Sequence, residues 1–166
     1  MVRIGAVIFC RMSSKRLPGK ILKNISNKTL LKRIVERVRL IKKIDNIIIA
    51  TSKNKNDDPI VQYAKKEGVD FYRGNLSNVL KRSINAAESF NLNYILRICG
   101  DRPFVDHHLY TKMLKINFYK YDMITNNKSK NMIKGLTAEI ISLEALKKVS
   151  KLSKYKYDSE HITNYI

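Results

Sequence analysis

Ile4-Gly5-Ala6-Val7-Ile8-Phe9-Cys10, followed at once by Arg11-Met12-Ser13-Ser14-Lys15-Arg16-Leu17-Pro18-Gly19-Lys20, is the stretch from which the fold can be read. Its first half is short and continuously apolar, the pattern of a β-strand covered on both faces. Its second half is charged and broken by Pro18-Gly19, the pattern of a loop. A strand buried on both sides needs helices above and below it, and the residues that follow supply them.

From Thr29 the apolar positions Leu30, Leu31, Ile34, Val35, Val38 and Ile41 recur at helical spacing, which predicts a first helix ending near Lys43. Ile47-Ile48-Ile49-Ala50 reads as a second buried strand. Asp58-Pro59 then offers an N-cap followed by proline at the first helical position, and Gly68 closes that helix. Val69-Asp70-Phe71-Tyr72 is a third strand, and Ser77 is the expected cap of a helix running through Leu80, Ile84, Ala87 and Phe90. Tyr94-Ile95-Leu96-Arg97-Ile98 is a fourth strand. Beyond Pro103 a helix from Asp106 through Met113, strands at 122–124 and 138–141, and a helix from Ser142 through Val149 complete the pattern. The Asn- and Lys-rich stretch Thr125 to Lys134 reads as a loop near the site.

Strict alternation of strands with single amphipathic helices implies right-handed crossovers. The expected fold is a three-layer α/β domain, a mostly parallel sheet with helices on both faces, and ligands then belong at the carboxyl ends of the strands. At 166 residues and 44% hydrophobic content, the chain reads as one domain spanning 1–166.

The formal charge of +19, from 33 Lys and Arg against 14 Asp and Glu, would draw polyanions. A nucleic-acid binder clusters its cations on one face or arm, interleaved with aromatics. Here lysines lie along nearly every predicted helix, from Lys32 to Lys154, which favours a Lys- and Asn-rich composition serving an anionic small substrate. A basic nucleic-acid-binding module is the alternative of a different class. Cys10 and Cys99 each end an apolar run and lack a CxxC partner, so buried thiols are expected. The first apolar run meets Arg11, Lys15 and Arg16 long before it could span a bilayer, so no membrane partner and a cytoplasmic, reduced location are expected.

The loop after the first strand carries Arg11, Ser14, Lys15, Arg16, Gly19 and Lys20, a phosphate-binding composition. Guanidinium groups match phosphate oxygens two at a time, Lys20 adds a point charge, Ser14 can donate and Gly19 lets backbone come close. The same composition also describes a solvated basic turn. It is not a Walker A loop, because Ser14 stands where the first glycine belongs and Ile21 where Ser or Thr must hold magnesium. The fourth strand ends in Arg97-Ile98-Cys99-Gly100-Asp101-Arg102-Pro103, where the lone carboxylate Asp101 is placed to hold a divalent metal against phosphate. The competing reading makes Asp101 a loop cap or a partner of Arg102. His107 and His108 read as surface residues, and Asp57 with Asp58 as a helix cap. No nucleophile–base arrangement or GxSxG elbow stands out.

The run Arg11 to Lys20 resembles the signature loop of the cytidylyltransferases, the family of CMP-sugar-acid synthetases and spore coat polysaccharide proteins, with Cys10 in place of the usual alanine. Further segments fall in that family's order: Ile49-Ala50-Thr51-Ser52, Tyr72-Arg73-Gly74 with Val79-Leu80, and Gly100-Asp101-Arg102-Pro103. Gly135-Leu136-Thr137-Ala138-Glu139 and Ser159-Glu160-His161-Ile162-Thr163 follow. The resemblance implies a Rossmann-like nucleotidyltransferase fold and a reaction in which a sugar hydroxyl attacks the α-phosphorus of CTP and pyrophosphate leaves. Through it, Arg11, Ser14, Arg16 and Lys20 hold the triphosphate, Asp101 binds Mg2+, and Arg11, Lys20 and Asp101 form the catalytic set. The base sits near Ala50, Thr51 and Ser52 with Arg73 beside the nucleotide, while Glu139, Glu160 and His161 contact the acceptor.

The implied partners are CTP and a small acidic sugar, in surface polysaccharide biosynthesis, and the family suggests a homodimer. Two departures stand out. Members of the family continue past this chain's last residue through an Asp-containing motif that completes the metal site, so a C-terminally short domain is expected. Glu139 or another subunit would then supply the second carboxylate, or the protein is a catalytically weak nucleotide-binding remnant. Thr137 also stands where related sequences carry Asp after Gly-Leu.

Overall fold

The computed structural model describes residues 1–14, 16–127, 132–133, 135–152 and 166. Along the chain run β1 (Ile4–Phe9), the short pair β2 (Asn24–Ile25) and β3 (Lys28–Thr29), α1 (Leu30–Val38), β4 (Asn46–Ser52), α2 (Asp58–Lys66), β5 (Asp70–Gly74) and α3 (Val79–Ser89). There follow β6 (Tyr94–Cys99), α4 (His107–Met113), β7 (Met123–Thr125), β8 (Glu139–Ser142) and α5 (Leu143–Leu152). The main sheet has six strands in the order β5-β4-β1-β6-β8-β7. β5, β4, β1 and β6 are parallel, β8 runs antiparallel to β6, and β7 antiparallel to β8.

Alternate residues of β1 feed two cores. Ile4, Ala6 and Ile8 point to the side covered by α1, α2 and α4, where Leu31, Ile34 and Ile60 are fully enclosed. Val7 points to the other side, against Leu80 and Ala87 of α3 and Leu146 of α5. Each buried Ile, Leu or Val among them contributes about 1.5–3 kcal/mol on leaving water, and the period of two along the strand divides that burial between the layers. The three-layer α/β expectation is met.

Several boundaries differ from the sequence reading. α1 stops at Val38, not near Lys43; Ile41 is nonetheless buried, because the turn after the helix folds it back with its amide donating to Val38 O (3.0 Å), and Lys43 has left-handed backbone. Burial thus extended the apolar periodicity beyond the helix itself. The β2–β3 hairpin was not expected. Its turn residues Ser26 and Asn27 both have positive φ, 46° and 65°, the requirement of a tight two-residue hairpin turn. α3 is capped by Asn78, whose side chain accepts from Lys81 N at 2.7 Å, and not by Ser77.

The end of β6 presses on the end of β1. Gly100 N donates to Phe9 O at 2.9 Å, and a Cβ on Gly100 would lie 2.7 Å from both Phe9 O and the Cys10 Cβ. These neighbours are backbone or backbone-anchored and have little room to retreat. Gly100→Ala is therefore expected to destabilise the fold by about 1–3 kcal/mol through overpacking, read as a lower urea midpoint at unchanged slope.

Candidate active site

The carboxyl ends of β1 and β6 open onto a cleft of about 390 Å³. Arg11, Ser14, Arg16 and Lys20 line it from the β1 loop, and Cys99, Gly100 and Asp101 from the β6 end. The two segments meet: Lys20 Nζ lies 3.2 Å from Asp101 Oδ2, and both side chains keep access to solvent. Asp101 thus pairs across the cleft with Lys20, not with its neighbour Arg102. An ion pair this exposed adds little stability; its consequence is a carboxylate and an ammonium presented together to whatever enters.

The loop holds its shape through one carbonyl and one carboxylate. Met12 O accepts from Ser14 N (2.9 Å) and Gly19 N (2.8 Å), which pinches the loop into a closed turn. Met12 N donates to Asp57 Oδ1 at 2.7 Å, and Asp57 Oδ2 accepts from both the amide and the hydroxyl of Ser52 at the end of β4. Asp57 is 1% exposed and makes no side-chain cap to α2. The cap reading of Asp57 is corrected: its side chain turns inward and ties the loop to the sheet. Asp58 pairs with Arg73 at 2.7 Å.

Four expected nucleotide contacts do not reach the cleft. Ala50, Thr51 and Ser52 are fully buried, Ala50 packing with Val7 and Ile48, and Ser52 bound to Asp57. Arg73 donates to Ser52 O (2.9 Å) and Asn54 O (2.8 Å), so its guanidinium braces the turn after β4. Glu139, expected at the acceptor, is 6% exposed and accepts from Arg97 Nη1 at 2.7 Å, while Tyr110 OH donates to Arg97 O at 3.0 Å. Arg97 lines the cleft, and Glu139 acts on it through that arginine. Glu160 and His161 lie outside the described residues, as does Lys15.

Arg82 of α3 also lines the cleft. It is 3% exposed, donates from Nη1 to Asn75 O (2.9 Å) and Leu76 O (3.4 Å), and stands 5.9 Å from the Phe9 ring. Burial lowers its pKa from the usual guanidinium range. Burial also pushes the Cys10 thiol up to about 12, partly offset by the Arg82 cation, so Cys10 is a neutral wall of the site.

The family model for cytidylyltransferases matches residues 6–166. The chain belongs to the cytidylyltransferase family. It is 33% identical over 170 residues to the spore coat polysaccharide biosynthesis protein SpsF of Bacillus subtilis, covering 96% of this chain and 68% of that protein. It is 30% identical over 116 residues to the 3-deoxy-manno-octulosonate cytidylyltransferase of Christiangramia forsetii, covering 69% of this chain and 45% of that one. The solved cytidylyltransferase of Leptospira borgpetersenii superposes with a TM-score of 0.93 at 31% identity, covering 99% of this chain and 71% of that structure.

Within this cytidylyltransferase, no group of three or more His, Cys, Asp or Glu among the described residues could hold a metal alone. Magnesium is commonly held by one or two carboxylates together with substrate phosphates. A single open carboxylate, Asp101, facing a cationic loop fits that donor set; Glu139, spent on Arg97, is not a free second ligand. Among the described residues no helix is long and apolar enough to cross a membrane. Sequence reasoning missed Arg82, Arg97 and the inward turn of Asp57. A charge within the apolar strand 94–98 and another on the buried stripe of a helix were the available signals for the two arginines.

Asp57→Ala removes the acceptor of three donors, the Met12 and Ser52 amides and the Ser52 hydroxyl. With about 1.5–3 kcal/mol for each of these hydrogen bonds to a charged group, a loss of about 4 kcal/mol or more is expected by urea unfolding. Cys10 titrates in the alkaline range. Its folded pKa is raised from 9.0 to about 12, so its contribution is whole below pH 9 and fades as pH climbs toward 12. Across that window wild-type stability should fall more steeply than that of Cys10→Ala, by roughly 1 kcal/mol per pH unit, in parallel denaturation series.

Proposed function

We propose that this cytidylyltransferase transfers CMP from CTP to a hydroxyl of a small acidic sugar, with release of pyrophosphate, in surface polysaccharide biosynthesis. The observation that carries the reading is the Lys20–Asp101 contact, which closes a cationic loop over a carboxylate at the sheet's ligand-binding edge. The names of the two sequence relatives, one in spore coat polysaccharide biosynthesis and one acting on 3-deoxy-manno-octulosonate, support a sugar acid as the acceptor class.

Arg11, Ser14, Arg16 and Lys20 bind the triphosphate. Hydrogen bonds to charged groups contribute about 1.5–3 kcal/mol each, and micromolar to millimolar affinity needs about 4–8 kcal/mol, so three such contacts suffice. Asp101 would hold Mg2+, which supplies charge neutralisation to the phosphates. Lys20, freed from Asp101 as the nucleotide arrives, turns its ammonium to the polyphosphate. Arg97, held in place by Glu139, stands on the β6 side of the cleft with a buried Nε that has no protein partner, suited to an anionic group of the acceptor. Displacement at phosphorus asks for in-line positioning and charge stabilisation, with no covalent intermediate on the protein.

Pyrophosphate release measured with each of the four nucleoside triphosphates and a panel of acidic sugars tests the reading. Release is expected with CTP and at least one sugar acid in the presence of magnesium. Arg11→Ala and Lys20→Ala should weaken CTP binding by about tenfold or more each. Asp101→Asn should keep binding and lose turnover by about 10²–10³. No release with any pairing, or full turnover in Asp101→Asn, would contradict the proposal.

A further inference from the structure

A guanidinium that is almost wholly removed from water usually has a carboxylate beside it, because an uncompensated buried charge costs several kcal/mol. Arg82 makes no ion pair: among the described residues no carboxylate is in salt-bridge contact with it, the buried Asp57 acts on it only from longer range, and its Nε is buried without a hydrogen-bond partner. Both of its hydrogen bonds leave from Nη1, toward two carbonyls of the turn between β5 and α3. The side chain is nevertheless held in place. Gly74 packs against it so closely that a Cβ there would lie 2.8 Å from Arg82 Cγ, and the Phe9 ring flanks the guanidinium. The fold has been shaped to hold this cation at the inner end of the cleft with donors to spare.

Its surroundings differ from those of the other cations. Arg11, Arg16 and Lys20 sit on the polar loop, opposite the solvent-accessible Asp101. Arg82 shares its part of the wall with Phe9 and with Val79, which lies three residues earlier on the same face of α3. Apolar flanks suit the flat face of a base and poorly suit a hydrated phosphate. The site expected for the base, 50–52, is sealed in the core.

We infer that Arg82 is the specificity-determining residue for the nucleobase, donating to the adjacent acceptors O2 and N3 of cytosine. The inference rests on the cytidylyltransferase reading above and assigns the base end of the same cleft. Arginine offers donors and no acceptors. Cytosine presents two neighbouring acceptors on that edge, whereas uracil carries a hydrogen on N3, which would face a donor. UTP, of the same size and charge, is therefore disfavoured by an unmade hydrogen bond in a dry site.

Dissociation constants for CTP, UTP and tripolyphosphate, measured by calorimetry on the wild-type chain, on Arg82→Met and on Arg82→Lys, test this. Wild type should prefer CTP over UTP by about tenfold to a hundredfold, the equivalent of one hydrogen bond to a charged group. Arg82→Met should bring the two nucleotides to within about threefold of each other while tripolyphosphate affinity is unchanged. Arg82→Lys keeps the buried charge but not the fork, and serves if the methionine variant fails to fold; it too should lose the preference. Equal weakening of both nucleotides and of tripolyphosphate would make Arg82 a phosphate contact and overturn the inference. So would a CTP preference that survives in both variants, and either result leaves the transferase reading standing. A wild-type chain that binds tripolyphosphate but none of the nucleotides would overturn both.

Discussion

The carboxylate of Asp57 is the contact on which the site depends. One oxygen takes the amide of Met12, three residues past Phe9 at the end of β1, and the other takes the amide and hydroxyl of Ser52 at the end of the neighbouring strand. A backbone amide and a strand end are thereby fixed to one buried group. Without that tie the basic loop would be free to leave the sheet edge under its own repulsion, since Arg11, Arg16 and Lys20 lie within a short span of chain. With it, the loop is folded back over Asp101. Strand packing supplies the platform and Asp57 supplies the aim.

Charge in the cleft is arranged in two tiers. At the mouth, Lys20 and Asp101 form a part-exposed pair of low stabilising value, easily exchanged for contacts to an anion or a metal. Deeper, two arginines are enclosed: Arg97 paired directly with Glu139, Arg82 hydrogen-bonded to carbonyls and without a direct ion pair among the described residues. Such buried cations raise the energy of the empty protein and lower that of a complex with a ligand rich in acceptors, which is how a binding site stores selectivity. Cys10, held neutral beside them, adds no competing negative charge.

Most of the architecture was legible in the sequence because burial imposes periodicity. The apolar runs at 4–10, 47–50 and 94–98 and the helical stripes between them place both layers of helices, and the loop residues Arg11, Ser14, Arg16 and Lys20 do line one cleft with Asp101. What stayed hidden depends on where polar side chains turn, which no spacing rule states. Asp57 beside a proline at a helix start looks like a cap whether it points to the helix or away. Arg73 near a strand end looks like a ligand contact until its donors are seen to be consumed by Ser52 O and Asn54 O. Glu139 looks like an acceptor residue until it is found locked to Arg97. In each case a long-range partner decided the outcome.

The central claim is that the cleft between the β1 loop and Asp101 takes a cytidine triphosphate. Ligand that binds the folded state alone raises stability by about 2.7 kcal/mol at a hundredfold excess over Kd, and about 2–4 °C per kcal/mol is expected for a chain of this size. Melting temperature recorded with each nucleoside triphosphate, with and without magnesium, and with an unrelated oligonucleotide is the direct measurement. CTP should raise it by about 5–10 °C, more with magnesium, and above the other three. An equal rise with the oligonucleotide and with every nucleotide, or no rise with CTP at all, would contradict the account.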